Sequence, residues 1–147
     1  MTTSRALGID FGERRIGLAL SDADGRLALP WKVLERTSDA EAVAAIVRIV
    51  GEEEISRLVV GEPRRIGGAP ESETLRRVHG FAVKLARATG LEIEWVDEAF
   101  TSADAAARLR EAGLDSRRAR GKLDAVAAQL LLQEALDRRA PPTGGQP

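Results

Sequence analysis

The sequence predicts an α/β fold in which helices flank a mixed five-stranded sheet. The first part of the chain reads as three short strands joined by tight turns. The remainder alternates helical periodicity with short apolar strands. Strands joined by turns pair antiparallel, whereas strands joined by helices pair parallel with right-handed crossovers. We therefore expect an antiparallel β1-β2-β3 meander followed by parallel strands.

The meander is expected within the first 34 residues. The apolar run 5–10 predicts a buried strand, and 16–21 predicts a second. Asp24-Gly25 is a hairpin signal that leads into a third strand at 27–34. Pro30 has no N–H to donate to a central ladder, so this third strand is expected at a sheet edge.

The rest of the chain is expected to form four helices and two further strands. In chain order these are a helix at 39–50, a strand at 55–61, a helix at 71–88, a strand at 91–97, and helices at 101–113 and 122–138. Ser38 or Asp39 is suited to cap the first helix, Thr89-Gly90 ends the second, and Thr101 begins the third.

The two remaining segments carry little apolar periodicity. Residues 114–121 are basic and read as an irregular segment, and residues 140–147 read as a disordered tail. We find no internal repeat and no linker, so residues 1–139 are expected to form a single domain.

Composition excludes several classes of site. The 147 residues contain no cysteine and one histidine, His79, which excludes disulfides, thiolate zinc sites, a cysteine nucleophile and multi-histidine metal sites. No apolar stretch reaches the ~18 residues that cross a bilayer, and the N-terminus lacks a signal-peptide pattern. We expect no membrane partner and a cytoplasmic location. His79 is expected on the surface, and Trp31 and Trp95 in the core.

Three acidic residues lie where predicted elements begin or end. Asp10 closes the first strand, Glu98 follows the last strand, and Asp124 interrupts an apolar helix. A carboxylate in such a stretch is costly to bury unless something positive neutralises it. Active sites in α/β sheets tend to lie beyond the carboxyl ends of parallel strands, where Asp10 and Glu98 are expected. Three converging carboxylates would form an oxygen-rich site suited to Mg²⁺ or Mn²⁺.

Each carboxylate also has a purely structural explanation. Asp10 can begin a turn with Gly12, while Glu98 and Asp124 are expected at helix N-termini, where negative charge is favourable. Asp124 is the hardest to explain in this way, because the residues three, four and seven positions on (Ala127, Ala128 and Leu131) form an apolar face that should point toward the sheet.

If the three carboxylates meet, the chemistry is metal-assisted phosphodiester hydrolysis. Two divalent ions can activate water and stabilise the leaving oxygen of an in-line displacement. Although the net charge is −1, arginines and lysines come in short clusters that can hold flanking phosphates. The cluster just before Asp124 is the strongest candidate. Nine residues are expected to contact substrate: Arg14, Arg15, Arg64, Arg65, Thr101, Arg117, Arg118, Arg120 and Lys122.

A second interpretation concerns the segment from Asp10 to Gly17. It is also similar to the phosphate-binding turn of actin-like ATPases, where an Asp and a Gly-rich hairpin hold a nucleotide phosphate through Mg²⁺. That fold needs two lobes with a cleft between them, and one short domain supplies one lobe.

Four segments, in order along the chain, closely resemble the YqgF family of Holliday-junction resolvases and pre-16S rRNA nucleases. They are Gly8-Ile-Asp-Phe-Gly-Glu-Arg-Arg-Ile-Gly-Leu-Ala-Leu-Ser-Asp22, Val59-Val-Gly-Glu-Pro63, Val96-Asp-Glu-Ala-Phe-Thr-Ser102 and Gly121-Lys-Leu-Asp-Ala-Val-Ala-Ala-Gln-Leu-Leu-Leu-Gln133. The resemblance implies an RNase H-like fold and places the family's acidic triad on Asp10, Glu98 and Asp124. The chain departs from the family at Ala99, where an Arg is usual, and in the 61–68 loop, where Arg64 or Arg65 can replace missing groups.

The resemblance implies a metal-dependent nuclease that processes the 5′ end of the 16S rRNA precursor during ribosome biogenesis. Its partners would be structured or precursor rRNA and ribosomal precursor particles. Two alternatives stay open: a resolvase that cuts branched DNA in recombination and repair, and a non-catalytic nucleic-acid-binding module. Nothing in the sequence selects RNA or DNA through the 2′-OH. A four-way DNA junction has two cleavage points, so the resolvase alternative favours a homodimer. Trimming of precursor rRNA can be done by one protomer.

Overall fold

The computed structural model describes residues 4–63, 72–98 and 117–139, with side chains at all of these positions except 117–120 and 139. Five strands and three helices lie in these ranges. The strands are β1 (Ala6–Phe11), β2 (Arg15–Ser21), β3 (Ala28–Glu35), β4 (Arg57–Glu62) and β5 (Ile93–Asp97). The helices are α1 (Asp39–Glu52), α2 (Glu73–Thr89) and α3 (Arg117–Arg139).

The strands form one mixed sheet in the order β3-β2-β1-β4-β5. β1 pairs antiparallel with β2, and β2 with β3, whereas β4 pairs parallel with both β1 and β5. The predicted meander followed by parallel strands is confirmed. Strand ends differ from the expected ones by one or two residues, which is within the uncertainty of any boundary.

The turn and edge predictions are also confirmed. Gly25 has φ +70°, and its N–H donates to Asp22 O at 3.1 Å, which closes the hairpin between β2 and β3. β3 is an edge strand, as Pro30 required, and the register shifts between Leu18 and Ala19 beside that proline. Ser38 caps α1 by accepting a hydrogen bond from Glu41 N at 3.1 Å.

The start of α3 differs from the prediction. The helix begins at Arg117 rather than near residue 122, so residues 117–121 are helical and not an irregular segment. Alanine and arginine are strong helix formers, and Gly121 is tolerated because helical packing outweighs its cost of ~1 kcal/mol. As a consequence Asp124 is not in the first turn of its helix, which contains no acidic residue. The favourable helix-terminus explanation for Asp124 is therefore wrong. The expected helix 101–113 and the expected tail 140–147 lie outside the described residues.

Helices cover both faces of the sheet and bury a separate apolar cluster on each. On one face α1 and α2 cover alternate strand residues such as Leu7, Ile9 and Phe11. On the other face α3 crosses the sheet and packs against one buried residue from every strand. These residues are Ala6, Ala19, Ala28, Val59 and Val96, and they meet Ala128, Leu131, Leu132, Ala135 and Leu136 of α3.

Glycines let α3 lie unusually close to the sheet. A Cβ at Gly17 would lie 2.1 Å from Asp124 O, and a Cβ at Gly8 would lie 2.8 Å from Ala128 O. Both distances are shorter than any real contact, so the helix backbone rests directly on β1 and β2. This close approach carries Asp124 to the sheet.

No helix in the described ranges is long and apolar enough to cross a membrane.

Candidate active site

Asp10 and Glu98 reach the same edge of the sheet from two strands. Asp10 is the penultimate residue of β1, and Glu98 follows the last residue of β5. Both strands run parallel to β4, so their carboxyl ends meet at one edge. Asp10 alternates with Ile9 and Phe11, which pack under α1 and α2, so it faces the α3 side.

The side chains of Asp10 and Glu98 are hydrogen bonded to each other. Two carboxyl groups can form such a bond only if they share a proton. Burial is the largest influence, and together with the hydrogen bond to Glu98 and the negative charges of Glu98 and Asp124 it raises the pKa of Asp10 from 3.8 to about 8. The structure therefore brings Asp10 and Glu98 into contact and places Asp124 near enough for its charge to act on Asp10. Their catalytic role stays a prediction.

Asp124 is held by an arginine. Arg15 Nε donates to Asp124 Oδ2 at 2.6 Å, and the two side chains are 37% and 23% exposed. Arg15 is the first residue of β2, and its carbonyl accepts a hydrogen bond from Gly12 N at 2.9 Å. The sequence predicted Arg15 as a phosphate contact, and the structure shows it as the ionic partner of a predicted site residue.

The oxygen donors fit a hard divalent cation. Carboxylate oxygens are the ligands that Mg²⁺ and Mn²⁺ prefer, and two half-buried carboxyl groups in contact would be stabilised by added positive charge. Across residues 4–63, 72–98 and 117–139, no three His, Asp or Glu side chains are placed so that together they could hold a metal ion. Asp124 is turned to Arg15, so the carboxylates come together without surrounding one point.

The other predicted contacts are only partly visible. Arg14 is exposed in the turn between β1 and β2, and Lys122 is exposed on α3. Residues 117, 118 and 120 lie in α3, although the structure does not describe their side chains. Arg64, Arg65 and Thr101 lie outside the described residues.

His79 differs from its predicted surface position. It is half-buried, its Nε2 lies 2.6 Å from Glu62 Oε2, and its ring packs edge-on against Trp95 at 5.0 Å. His79 lies three positions before the buried Ala82 on a helix, and that spacing was a signal for a partly covered position. Its partner Glu62 comes from β4 and could not be found by spacing. Trp31 and Trp95 pack against the core with part of each ring exposed, which confirms the core prediction in part.

The family was established by comparison with known proteins. A family model named RuvX and described as "Holliday junction resolvase" matches residues 4–138. The chain belongs to the RuvX family. This is the YqgF family that the four sequence segments resembled, so that identification is confirmed.

Two curated relatives of this RuvX-family chain, from different genera, match most of its length. A protein of Anaeromyxobacter dehalogenans is 43% identical over 137 residues, covering 93% of this chain and 99% of the relative. A protein of Chloroflexus aurantiacus is 42% identical over 135 residues, covering 90% and 86%. Each is named "Putative pre-16S rRNA nuclease". With the family assignment, these names make the RuvX-family chain a nuclease, a hydrolase acting on nucleic acid.

Solved structures confirm the RNase H-like fold. RuvC from Thermus thermophilus, solved with a Holliday junction substrate, aligns with a TM-score of 0.59 at 17% identity and covers 92% of this chain and 94% of that one. The yeast mitochondrial Holliday junction resolvase Ydc2 aligns with a TM-score of 0.52 at 17% identity, covering 93% and 82%. At such identities the likeness concerns the fold alone.

Proposed function

We propose that this RuvX-family protein is a metal-dependent nuclease that processes the 5′ end of the 16S rRNA precursor. The observation that carries the proposal is the contact between the half-buried side chains of Asp10 and Glu98, with the charge of Asp124 acting on Asp10. Holding acidic groups together in a partly desolvated place is unfavourable, and a bound cation would relieve this cost. The site also lies at the carboxyl edge of the parallel strands, where the active sites of α/β sheets tend to lie.

The proposed roles divide between the carboxylates and the basic residues. Asp10, Glu98 and Asp124 would hold two Mg²⁺ or Mn²⁺ ions, which when bound would activate water and stabilise the leaving oxygen. The partial burial of Asp10 strengthens its electrostatic interactions with the other charged groups of the site. Arginines and Lys122 would orient the phosphates on either side of the scissile bond.

The names of the relatives favour precursor rRNA as substrate. We propose that the protein acts on it within ribosomal precursor particles in the cytoplasm. A monomer would suffice, because one carboxylate cluster trims one RNA end. The second candidate is cleavage of branched DNA, which the family description and the fold of junction resolvases favour. That reaction needs two cuts and therefore a homodimer.

The first expected result concerns the cation. Purified protein should cleave labelled nucleic acid with Mn²⁺ or Mg²⁺, lose all activity in EDTA, and turn over slowly with Ca²⁺. Calcium is larger and more flexible in its coordination, so it should misplace the attacking water. Cleavage that persists after exhaustive chelation would eliminate the two-ion mechanism. Single-stranded precursor RNA, duplex DNA and a four-way junction should be compared side by side, and binding of all three without cleavage would indicate a non-catalytic module.

The second expected result concerns the amino-terminal turns of α3. Replacing Arg117, Arg118 and Arg120 together by Ala should weaken RNA binding in all sequence contexts and change turnover at saturating substrate much less. Position 120 lies about one helical turn before Asp124 and position 117 about two turns before it. The three positions therefore share one face of α3. Each lost phosphate contact should lower the slope of log K against log salt by roughly 0.7–0.9.

A matched control removes the same net charge elsewhere. Arg26, Arg48 and Arg87 are exposed, on the hairpin, α1 and α2. Their triple replacement by Ala should leave the salt slope unchanged. Equal slopes for the two triple variants would mean that the 117–120 cluster is an ordinary solvated surface.

A further inference from the structure

The contact between Arg15 and Asp124 places a positive side chain inside the carboxylate cluster. The N–O distance of 2.6 Å is that of a strong charge-assisted hydrogen bond. A guanidinium is always charged and donates through a rigid fork, so it satisfies a carboxylate as a cation would. Arg15 therefore occupies a side of the Asp124 carboxylate from which a metal ion would have to approach.

The backbone of Arg15 is fixed, whereas its side chain has room to leave. Arg15 pairs with Glu35 of β3, Gly12 N donates to its carbonyl at 2.9 Å, and Arg36 N donates to the carbonyl of its neighbour Arg14 at 2.8 Å. Its side chain is 37% exposed, so the guanidinium can turn outward without unfolding any element. Asp124 is less mobile, because its backbone rests against Gly17.

A divalent ion and a guanidinium compete for the same oxygen. An ion coordinated by Asp124 Oδ2 would lie close to the Arg15 Nε–H, where two positive charges repel in a partly buried setting. One of the two must move. The released guanidinium would lie beside the cations at the mouth of the site, where a substrate phosphate offers it a bidentate partner.

We propose that Arg15 is a positioning residue that holds Asp124 while no ion is bound, is displaced when an ion enters, and then contacts a phosphate of the nucleic acid. This inference rests on the proposed metal-dependent nuclease function. It adds that the metal ion binds before Arg15 contacts the nucleic acid. Cation loading switches Arg15 from a protein carboxylate to the substrate, so ion binding and substrate binding reinforce each other.

The test is Mn²⁺ binding to Arg15→Gln, measured by calorimetry without nucleic acid. Glutamine keeps most of the side-chain length and removes the charge. We expect the variant to bind Mn²⁺ about fivefold more tightly than the wild type, which corresponds to roughly 1 kcal/mol for a half-exposed ion pair. Arg14→Gln is the matched control, since it removes the same charge one residue away and should change the affinity much less.

Two further measurements separate this role from a merely structural one. In wild-type protein, the ¹⁵Nε resonance of Arg15 should shift on Mg²⁺ titration as its bond to Asp124 is lost. At saturating Mn²⁺, Arg15→Gln should raise KM for RNA several-fold and leave kcat nearly unchanged. The resonance is read on the wild type, so it tests the proposal even if the variant folds poorly.

The outcomes distinguish this inference from the proposed function. Wild-type protein that binds Mn²⁺ and cleaves, with Arg15→Gln binding the ion equally or more weakly, would overturn the role of Arg15 and leave the nuclease proposal standing. Absence of Mn²⁺ binding in both proteins would overturn both proposals. If Arg15→Gln and Arg14→Gln both bind Mn²⁺ more tightly to the same extent, the effect comes from the loss of one positive charge in general. That result would also reject a specific role for Arg15.

Discussion

Asp10→Asn is expected to abolish cleavage and, without cations, to make the protein more stable. Loss of an ion ligand should remove several kcal/mol of transition-state stabilisation, or at least about a hundredfold in rate. The amide cannot ionise, so it avoids the cost of a buried charge beside Glu98 and Asp124. We expect Tm in EDTA at pH 8.5 to rise by about 2–4 °C, which corresponds to about 1 kcal/mol for a chain of this size.

The same substitution should change the pH dependence of stability. The folded-state pKa of Asp10 is about 8, above its ordinary 3.8, so the folded protein holds a proton that the unfolded chain releases. The stabilisation from Asp10 is therefore complete below about pH 4 and is lost as pH rises toward 8. Wild-type Tm in EDTA should fall across this window, and that of Asp10→Asn should fall less. Because bound cations require the ionised carboxylate, Mn²⁺ affinity of the wild type should rise over the same window.

Asp24→Asn provides the control for Asp10→Asn. Asp24 is exposed in the β2–β3 hairpin, where Asn-Gly suits the turn as well as Asp-Gly. This variant should keep wild-type cleavage and the wild-type pH profile of Tm. Full activity in Asp10→Asn would reduce Asp10 to a turn residue and remove the basis of the site.

Gly17→Ala is expected to have the largest effect on stability. Its new Cβ would lie 2.1 Å from the carbonyl oxygen of Asp124 and 2.4 Å from the carbonyl carbon. A helix backbone cannot swing aside as a side chain can, so α3 must lift from the sheet and expose part of its buried cluster. We expect a loss of about 3 kcal/mol, seen as a fall in Tm of about 6–12 °C. Cleavage should fall as well, because Asp124 moves with the helix.

A second glycine on a helix surface calibrates the Gly17 result. Gly80 lies exposed in α2, and among the described residues no atom beyond its own helix backbone lies within 4 Å of the position that a new methyl group would take. Gly80→Ala should therefore raise stability by about 0.5–1 kcal/mol through helix propensity alone. If Gly17→Ala instead keeps the wild-type Tm, the close contact between β2 and α3 is absent in solution.

The parts of the fold that follow from short-range chemistry were predictable from the sequence. Pro30 placed β3 at the edge, and Asp24-Gly25 marked the hairpin. The convergence of Asp10 and Glu98 followed from one rule, that parallel strands end at the same edge. Each of these signals is carried by one to three residues and does not depend on distant partners.

The parts that depend on distant partners could not be predicted. Arg15 and Asp124 are 109 positions apart, and the Glu62–His79 pair joins a strand to a helix, so no local pattern identified either contact. The start of α3 was misjudged for a different reason. Gly121 suggests a break in an isolated helix, but packing of α3 against the sheet outweighs that weak local preference.

The position of α3 in the chain also bears on synthesis. Its residues are the last to be translated among the described elements, whereas Asp10 lies near the beginning. A growing polypeptide that has just passed β5 already carries Asp10 and Glu98, yet it lacks Asp124 and the helix that packs against all five strands on one face of the sheet. No partial chain can assemble the cluster while it is still being made. If these carboxylates catalyse cleavage, the nuclease stays inactive beside the ribosome that produces it until α3 has emerged and docked.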